Sequence, residues 1–170
     1  MSLYENLVPQ YKKMLRNLDA WIETSVAFAA KKSFDPNTLL NARLAPDQYP
    51  LVRQVQSVCD SAKFACAYLS GQKAPAHPDT EATIGELRAR IATCLAYLET
   101  ITPHDFEGAE KRMITLPWAP GKQIAALDYV YELSLPNFYF HATTAYAILR
   151  HNGVDVGKMA YIGSVKFLDA

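Results

Sequence analysis

His141 is the residue whose type and position are best suited to chemistry, because a histidine can act as acid, base or metal ligand near neutral pH. It lies in PNFYFHATTAYAILRHNG, residues 136–153, which reads as a helix with a proline in its first turn or at a kink and a glycine just past its end. At 100° per residue, Asn137, His141 and Thr144 share one stripe beside an apolar stripe. The pattern predicts a helix in the middle of a bundle, with His141 at or near the core.

The residues around His141 leave three roles open for it. It is a core histidine hydrogen bonded to Asn137 or Gln54, a group that lines a small-molecule pocket, or a metal ligand assisted by groups that the spacing does not identify. The pocket hypothesis lines the site with His141, Asn137, Thr144 and Gln54. If a reaction takes place there, His141 is its acid or base.

The charged residues near this helix are predicted to be solvated. On the helix expected over residues 49–70, Gln56, Asp60 and Lys63 lie opposite the apolar face, and Arg90 lies off the apolar stripe of the next helix. Motifs for other chemistry are absent from the sequence, which has no glycine-rich phosphate loop, no G-x-S-x-G motif and no E-x-x-H pair.

Composition narrows the class of protein. The chain of 170 residues has 17 lysines and arginines against 17 aspartates and glutamates, without a basic run, which argues against nucleic acid or a membrane as partner and leaves little repulsion against self-association. Cys59, Cys66 and Cys94 lack a C-x-x-C spacing and are predicted to be small buried residues in a reducing compartment. No signal peptide or transmembrane stretch is visible, so a cytoplasmic protein is expected.

Four long amphipathic segments hold most of the apolar residues. They are expected over about residues 3–31, 49–70, from near 83 onward, and 124–151 with an interruption at Pro136. Between the last two, residues 111–116 are predicted to form a short strand, and residues 120–121 a turn into a second. Residues 1–170 are thus expected to form a single all-α domain, a four-helix bundle with a short irregular or β-hairpin insertion before the last long helix.

Two segments carry a resemblance to a known family. ARLAPDQYPLVRQVQSVCDSAK, residues 42–63, and LPNFYFHATTAYAILRHNGVDVGK, residues 135–158, resemble a bacterial family of unknown function in the DinB/YfiT-like metalloenzyme superfamily. The resemblance covers nearly the whole chain. It implies a bundle with up-down-down-up topology, a long crossover between the second and third helices, and a homodimer.

The resemblance also implies where a metal site would lie. Metal-binding members of the superfamily place one histidine on the second helix and an H-x-x-x-H pair on the fourth, so that three imidazoles meet one cation. The second histidine of the pair falls on His141, the first falls on Asn137, and the second-helix position falls on Gln54 or Gln56. One of three imidazoles is kept, so the expected Zn²⁺ or Ni²⁺ site is degenerate, because neutral amides are weak ligands for these ions.

These observations lead to one principal hypothesis and two alternatives. The principal hypothesis is a DinB-like bundle that binds a small molecule in a pocket near His141. The first alternative is a homodimeric structural or interaction module without catalysis. The second is a divalent-metal-dependent enzyme, with thiol transfer or hydrolysis as the reactions that the superfamily resemblance implies.

Overall fold

The computed structural model describes residues 2–168 and is built from four long helical stretches. α1 spans Leu3–Lys32, α2 spans Leu51–Ser70 and α3 spans Ile84–Thr100. The fourth stretch begins with α4, Ala126–Asp128, passes through a π-helical segment, Tyr129–Ser134, and continues as α5, Leu135–His151. Shorter pieces are α6, Lys158–Ile162, and three 3₁₀ turns, Pro36–Asn41, His104–Phe106 and Ala109–Lys111.

α2 is central to the bundle, because it packs against both α5 and α3, while α1 packs against α3, α2 and α5. A long crossover, residues 71–83, connects α2 to α3. The architecture is the all-α four-helix bundle that the sequence pattern predicted, with the up-down-down-up topology that the family resemblance implies. Its interior is filled by large side chains without solvent exposure, among them Tyr11, Trp21 and Phe138.

The helix ends follow from local sequence. Ser2 and Glu5 form a reciprocal capping box at the start of α1, and Thr83 and Glu86 form a second one at the start of α3. Gly71 ends α2 with a φ of 73°, a left-handed conformation that glycine adopts without a steric penalty. These caps satisfy backbone groups that the helices themselves leave unpaired.

The predicted hairpin insertion is confirmed. β1, Met113–Thr115, pairs antiparallel with β2, Gln123–Ala125, and Ile114 lies opposite Ile124. The fourth helical region was expected to start near Ile124, and that boundary is wrong. Ile124 belongs to the strand because it pairs across the hairpin, so the helical run begins at Ala126.

The interruption predicted at Pro136 takes the form of a π-helical segment. Pro136 lies in the first turn of α5 and has no amide hydrogen to give to the preceding turn. The chain does not break there, since Asp128, Ser134 and Leu135 all keep right-handed helical dihedral angles. Widened helical turns of this kind are frequent at functional sites.

The three cysteines are free and buried, as predicted. The Cys94 thiol donates a hydrogen bond to the backbone carbonyl of Cys59 at 3.2 Å, and burial raises the pKa of Cys66. They therefore act as small packing residues. None of the helices within residues 2–168 is both long and apolar enough to cross a bilayer.

Candidate functional site

A groove of about 500 Å³ lies where α2 meets the π-helical segment and the start of α5. Its volume is within the range of about 300–1,000 Å³ that is typical of small-molecule sites. We call it the α2–α5 groove. Its lining consists of Ser57, Asp60, Ser61, Phe64, Tyr68, Leu116, Pro117, Trp118, Tyr129, Leu133, Ser134, Asn137 and His141.

Aromatic side chains form much of the wall of the groove. Phe64 and Tyr68 lie one turn apart on α2 and their rings stack with centroids 6.0 Å apart, while Tyr129 meets Tyr68 edge to face at 5.7 Å. Trp118, in the hairpin loop, is 72% exposed. The hairpin insertion therefore adds an aromatic wall to a groove that the helices alone would leave open.

The imidazole of His141 is oriented by a side chain of α2. Gln54 Nε2 donates to the backbone carbonyl of Tyr49 at 3.0 Å, and Gln54 Oε1 lies 2.7 Å from His141 Nδ1. A carbonyl oxygen can only accept, so the Tyr49 carbonyl fixes which end of the Gln54 amide faces the ring. Nδ1 must then donate to Oε1, and in the neutral ring Nε2 carries the lone pair.

The second ring nitrogen of His141 has no hydrogen-bond partner among residues 2–168, and the side chain lines the α2–α5 groove. The ring lies nearly parallel to that of Tyr49, with centroids 6.4 Å apart, and Phe140 approaches it edge-on at 5.2 Å. A fixed imidazole with a free lone pair can accept a hydrogen bond from a ligand or take a proton from it.

The surroundings of His141 favour the neutral ring. Burial, and to a smaller extent the positive charge of Arg53, hold the pKa of His141 below its usual value. The unfolded chain binds this proton more readily than the folded chain does. The folded state is therefore expected to lose stability as the pH falls below about 6.5, where the unfolded chain takes up the proton, until the folded His141 is protonated as well.

We expect an NMR titration of the His141 ring to give a pKa below the value of about 6.5 for an unperturbed histidine. Because Arg53 is one cause of the shift, Arg53→Gln should move this pKa upward while burial keeps it below the unperturbed value. A midpoint for wild-type His141 at or above 6.5 would contradict the orientation and burial described here.

Asn137 lies on the stripe predicted for it, but at the exposed rim of the groove. Its Nδ2 donates to Ser61 Oγ at 2.7 Å, and the Ser61 hydroxyl donates to the backbone carbonyl of Ser57 at 2.7 Å. Asn137 therefore ties α5 to α2. Its Oδ1 accepts no hydrogen bond from residues 2–168.

Of the four candidate pocket residues, the structure brings His141 and Asn137 together in the lining. Gln54 is buried behind His141 and acts through it. Thr144 lies outside this lining: it is buried, its hydroxyl donates to the Phe140 carbonyl at 2.8 Å, and it borders a separate depression beside Leu44.

The predicted solvated face of α2 and α3 is instead buried, so that prediction is wrong. Arg90 and Lys63 are each only 3% exposed, and both contact Asp60 Oδ1, at 2.8 and 2.7 Å. Arg90 also pairs with Glu81 at 3.1 Å and Asp79 at 3.2 Å. The reason is the crossover between α2 and α3, which covers this face and supplies the two additional acids.

The same network separates the two glutamines that the resemblance could not distinguish. Gln56 is buried on the far side of α2, where its Nε2 donates to Glu81 at 2.6 Å and its Oε1 accepts from Arg53 at 3.0 Å. Gln54 is the glutamine that faces His141.

The residues at the position implied for a metal do not fit a tight divalent site. The donor set is one imidazole, whose Nδ1 is committed to Gln54, and the amides of Gln54 and Asn137, which are themselves hydrogen bonded. Within residues 2–168 there is no group of three His, Cys, Asp or Glu side chains arranged to hold a metal ion. Neutral amides cannot replace two imidazoles for Zn²⁺ or Ni²⁺.

Sequence reasoning missed two kinds of groove residue. Ser57, Ser61, Phe64 and Tyr68 lie four, three and four positions apart, a spacing that marks one face of α2 and could have been found. Trp118 carries no such signal, because it lies in a loop that the hairpin brings to the groove.

Comparisons with known proteins agree with this architecture. A family model described as "Domain of unknown function (DUF1993)" matches residues 3–162. The crystal structure of a DinB family member protein from Shewanella denitrificans is similar, with a TM-score of 0.94 and 48% sequence identity, over 99% of this chain and 96% of that chain. No curated protein matches the chain.

Proposed function

The chain belongs to the DUF1993 family of DinB-like proteins, and from that premise we propose that it binds a small molecule in the α2–α5 groove, with His141 Nε2 as a hydrogen-bond acceptor. The ligand's donor would meet His141, while its apolar part would lie against the aromatic wall. The family description assigns no reaction, so the proposal rests on the site.

The single observation that carries the proposal is the hydrogen-bonded chain from the Tyr49 carbonyl through Gln54 to His141 Nδ1. A histidine buried only for packing needs both ring nitrogens satisfied within the protein. Here one nitrogen is fixed by the protein, and the other has no hydrogen-bond partner among the described residues and belongs to a side chain that borders an open groove. This arrangement supports ligand recognition by a preorganised acceptor.

Replacing His141 with alanine is expected to weaken ligand binding and leave the fold intact. A suitable probe is 2-naphthylmethanol, which combines a flat apolar ring with a neutral hydroxyl donor, and its binding can be followed by protein chemical-shift changes. His141→Ala should lower the affinity for this probe by about tenfold or more. The variant loses one hydrogen bond, which contributes about 1–1.5 kcal/mol, and also loses contact area with the ring.

His151→Ala is the matched control, because His151 is an exposed histidine on the same helix and should change nothing. Equal affinity in wild type and His141→Ala would overturn the proposal. No probe binding, with His141→Ala lowering the free energy of unfolding by about 1–3 kcal/mol, would instead favour the homodimeric structural module. The exposed apolar side chains of Met113, Trp118 and Tyr131 are the feature in favour of that second candidate.

A further inference from the structure

Asp60 carries the single carboxylate in the lining of the α2–α5 groove as described for residues 2–168. Its Oδ1 contacts the cationic nitrogens of Lys63 and Arg90, whereas its Oδ2 accepts no hydrogen bond from any of residues 2–168. The Asp60 side chain is 29% exposed, while the two cations behind it are almost fully buried. A ligand in the groove therefore meets the carboxylate and not its counterions.

The rings beside Asp60 are suited to a positive charge. Aromatic faces attract cations that lie within about 6 Å of the ring centroid. Phe64 already makes this contact within the protein, since Lys63 Nζ lies 4.5 Å from its centroid. Tyr68 and Trp118 line the groove, and neither has a cation over its ring among the described residues.

The lining has free acceptors as well as the donor-capable hydroxyl of Tyr68 and indole N–H of Trp118, but in the described part of the chain it has no lysine or arginine. Besides Asp60 Oδ2, the free acceptors include His141 Nε2 and Asn137 Oδ1, neither of which has a hydrogen-bond partner among residues 2–168. A ligand with N–H donors fits this set. An anionic ligand would lose its hydration without gaining a cationic partner from the lining, which is unfavourable.

We propose that the α2–α5 groove selects an amine: a ligand with a protonated nitrogen that contacts Asp60 and the aromatic wall, and an apolar body that fills the rest of the groove. This inference rests on the small-molecule binding proposed above and specifies the ligand's charge. The charged network that includes Asp60 has no net charge, because three acids are balanced by three bases: Asp60, Asp79 and Glu81 against Arg53, Lys63 and Arg90. The selection therefore arises from the placement of the Asp60 carboxylate toward the groove.

The test uses three probes that share one ring system and differ in charge: 2-naphthylmethylamine, 2-naphthylmethanol and 2-naphthoate. At pH 7 the amine should bind wild-type protein about tenfold more tightly than the alcohol. This ratio corresponds to the free energy of one partly desolvated cation–π contact with its ion pair. The carboxylate should bind most weakly. Raising the salt concentration should weaken the binding of the amine more than that of the alcohol, because salt screens the charge interaction.

Two variants locate the preference within the groove. Asp60→Asn and Trp118→Leu should each reduce the ratio of amine affinity to alcohol affinity, and Trp118→Leu keeps the test valid if the loss of Asp60 unfolds the protein. Tyr131→Leu is the matched control, since Tyr131 is an exposed aromatic residue outside the groove lining. Its affinity ratio should equal that of wild type.

The outcomes separate this inference from the proposed function. If the alcohol binds through His141 but the amine binds no better, or the carboxylate binds more tightly, the amine inference is overturned and the proposed function stands. If none of the three probes binds, both are overturned. An amine preference that survives both Asp60→Asn and Trp118→Leu would also overturn the inference, because the preference would then arise elsewhere.

Discussion

Replacing Arg90 with methionine is expected to lower the free energy of unfolding by about 3–5 kcal/mol, the usual cost of removing one partner from a buried ion pair. Arg90 donates to Asp60 and Glu81 and to the backbone carbonyls of His77 and Pro78. Glu81 is only 8% exposed, and without Arg90 no cation pairs with it among the described residues. The variant would leave a buried carboxylate without its counterion and free the crossover from α3.

Urea unfolding followed by circular dichroism measures this loss. Arg88→Met is the matched control, because Arg88 lies on the same helix but forms part-exposed ion pairs with Asp19 and Glu23. Its replacement should cost about 1 kcal/mol or less, as exposed ion pairs do. Equal losses for the two variants would show that the Arg90 network does not hold the crossover in place.

The sequence could not predict the burial of Arg90 for a physical reason. A helical wheel identifies the face that packs on other helices, and by that measure Asp60, Lys63 and Arg90 lie away from the core. Burial also depends on what covers the opposite face, and here residues 71–83 cover it with a backbone and two acids. A loop without periodicity gives no signal of where it will lie.

Features that depend on neighbouring residues were predictable. The capping box of Thr83 and Glu86, the end of α2 at Gly71 and the short helix after Asp35 all follow from contacts within a few positions. The order of the four helices also followed from periodicity and the family resemblance. Chain connectivity over short distances sets these features, so the local sequence contains the information.

The candidate site was predictable only along the helix that carries it. Asn137 and His141, four positions apart, share one face and both line the groove. Thr144 lies within about 20° of Asn137 around α5 but roughly 10 Å further along the helix axis, so it lies past the groove and borders a separate depression. Asp60 and Trp118 depend on contacts between distant segments, which a wheel does not represent.

Restoring two histidines is expected to convert this site into a metal site. In the double variant Asn137→His with Gln54→His, three imidazoles would share the seam between α2 and α5, because Gln54 already contacts His141 and Asn137 lies one turn away on the same face. The affinity for Zn²⁺ should rise by roughly 1,000-fold or more over wild type, a change of about 4 kcal/mol.

The measurement is a Zn²⁺ and Ni²⁺ titration by chelator competition, together with elemental mass spectrometry of protein purified without a histidine tag. The matched control is Asn137→His with Gln56→His, because Gln56 faces Glu81 on the far side of α2 and should contribute no ligand. Adding His141→Ala to the active double variant should remove the gain. If wild-type protein carried stoichiometric metal that His141→Ala abolished, the amides of Gln54 and Asn137 would have to be accepted as ligands. The conclusion that they disable the site would then be wrong.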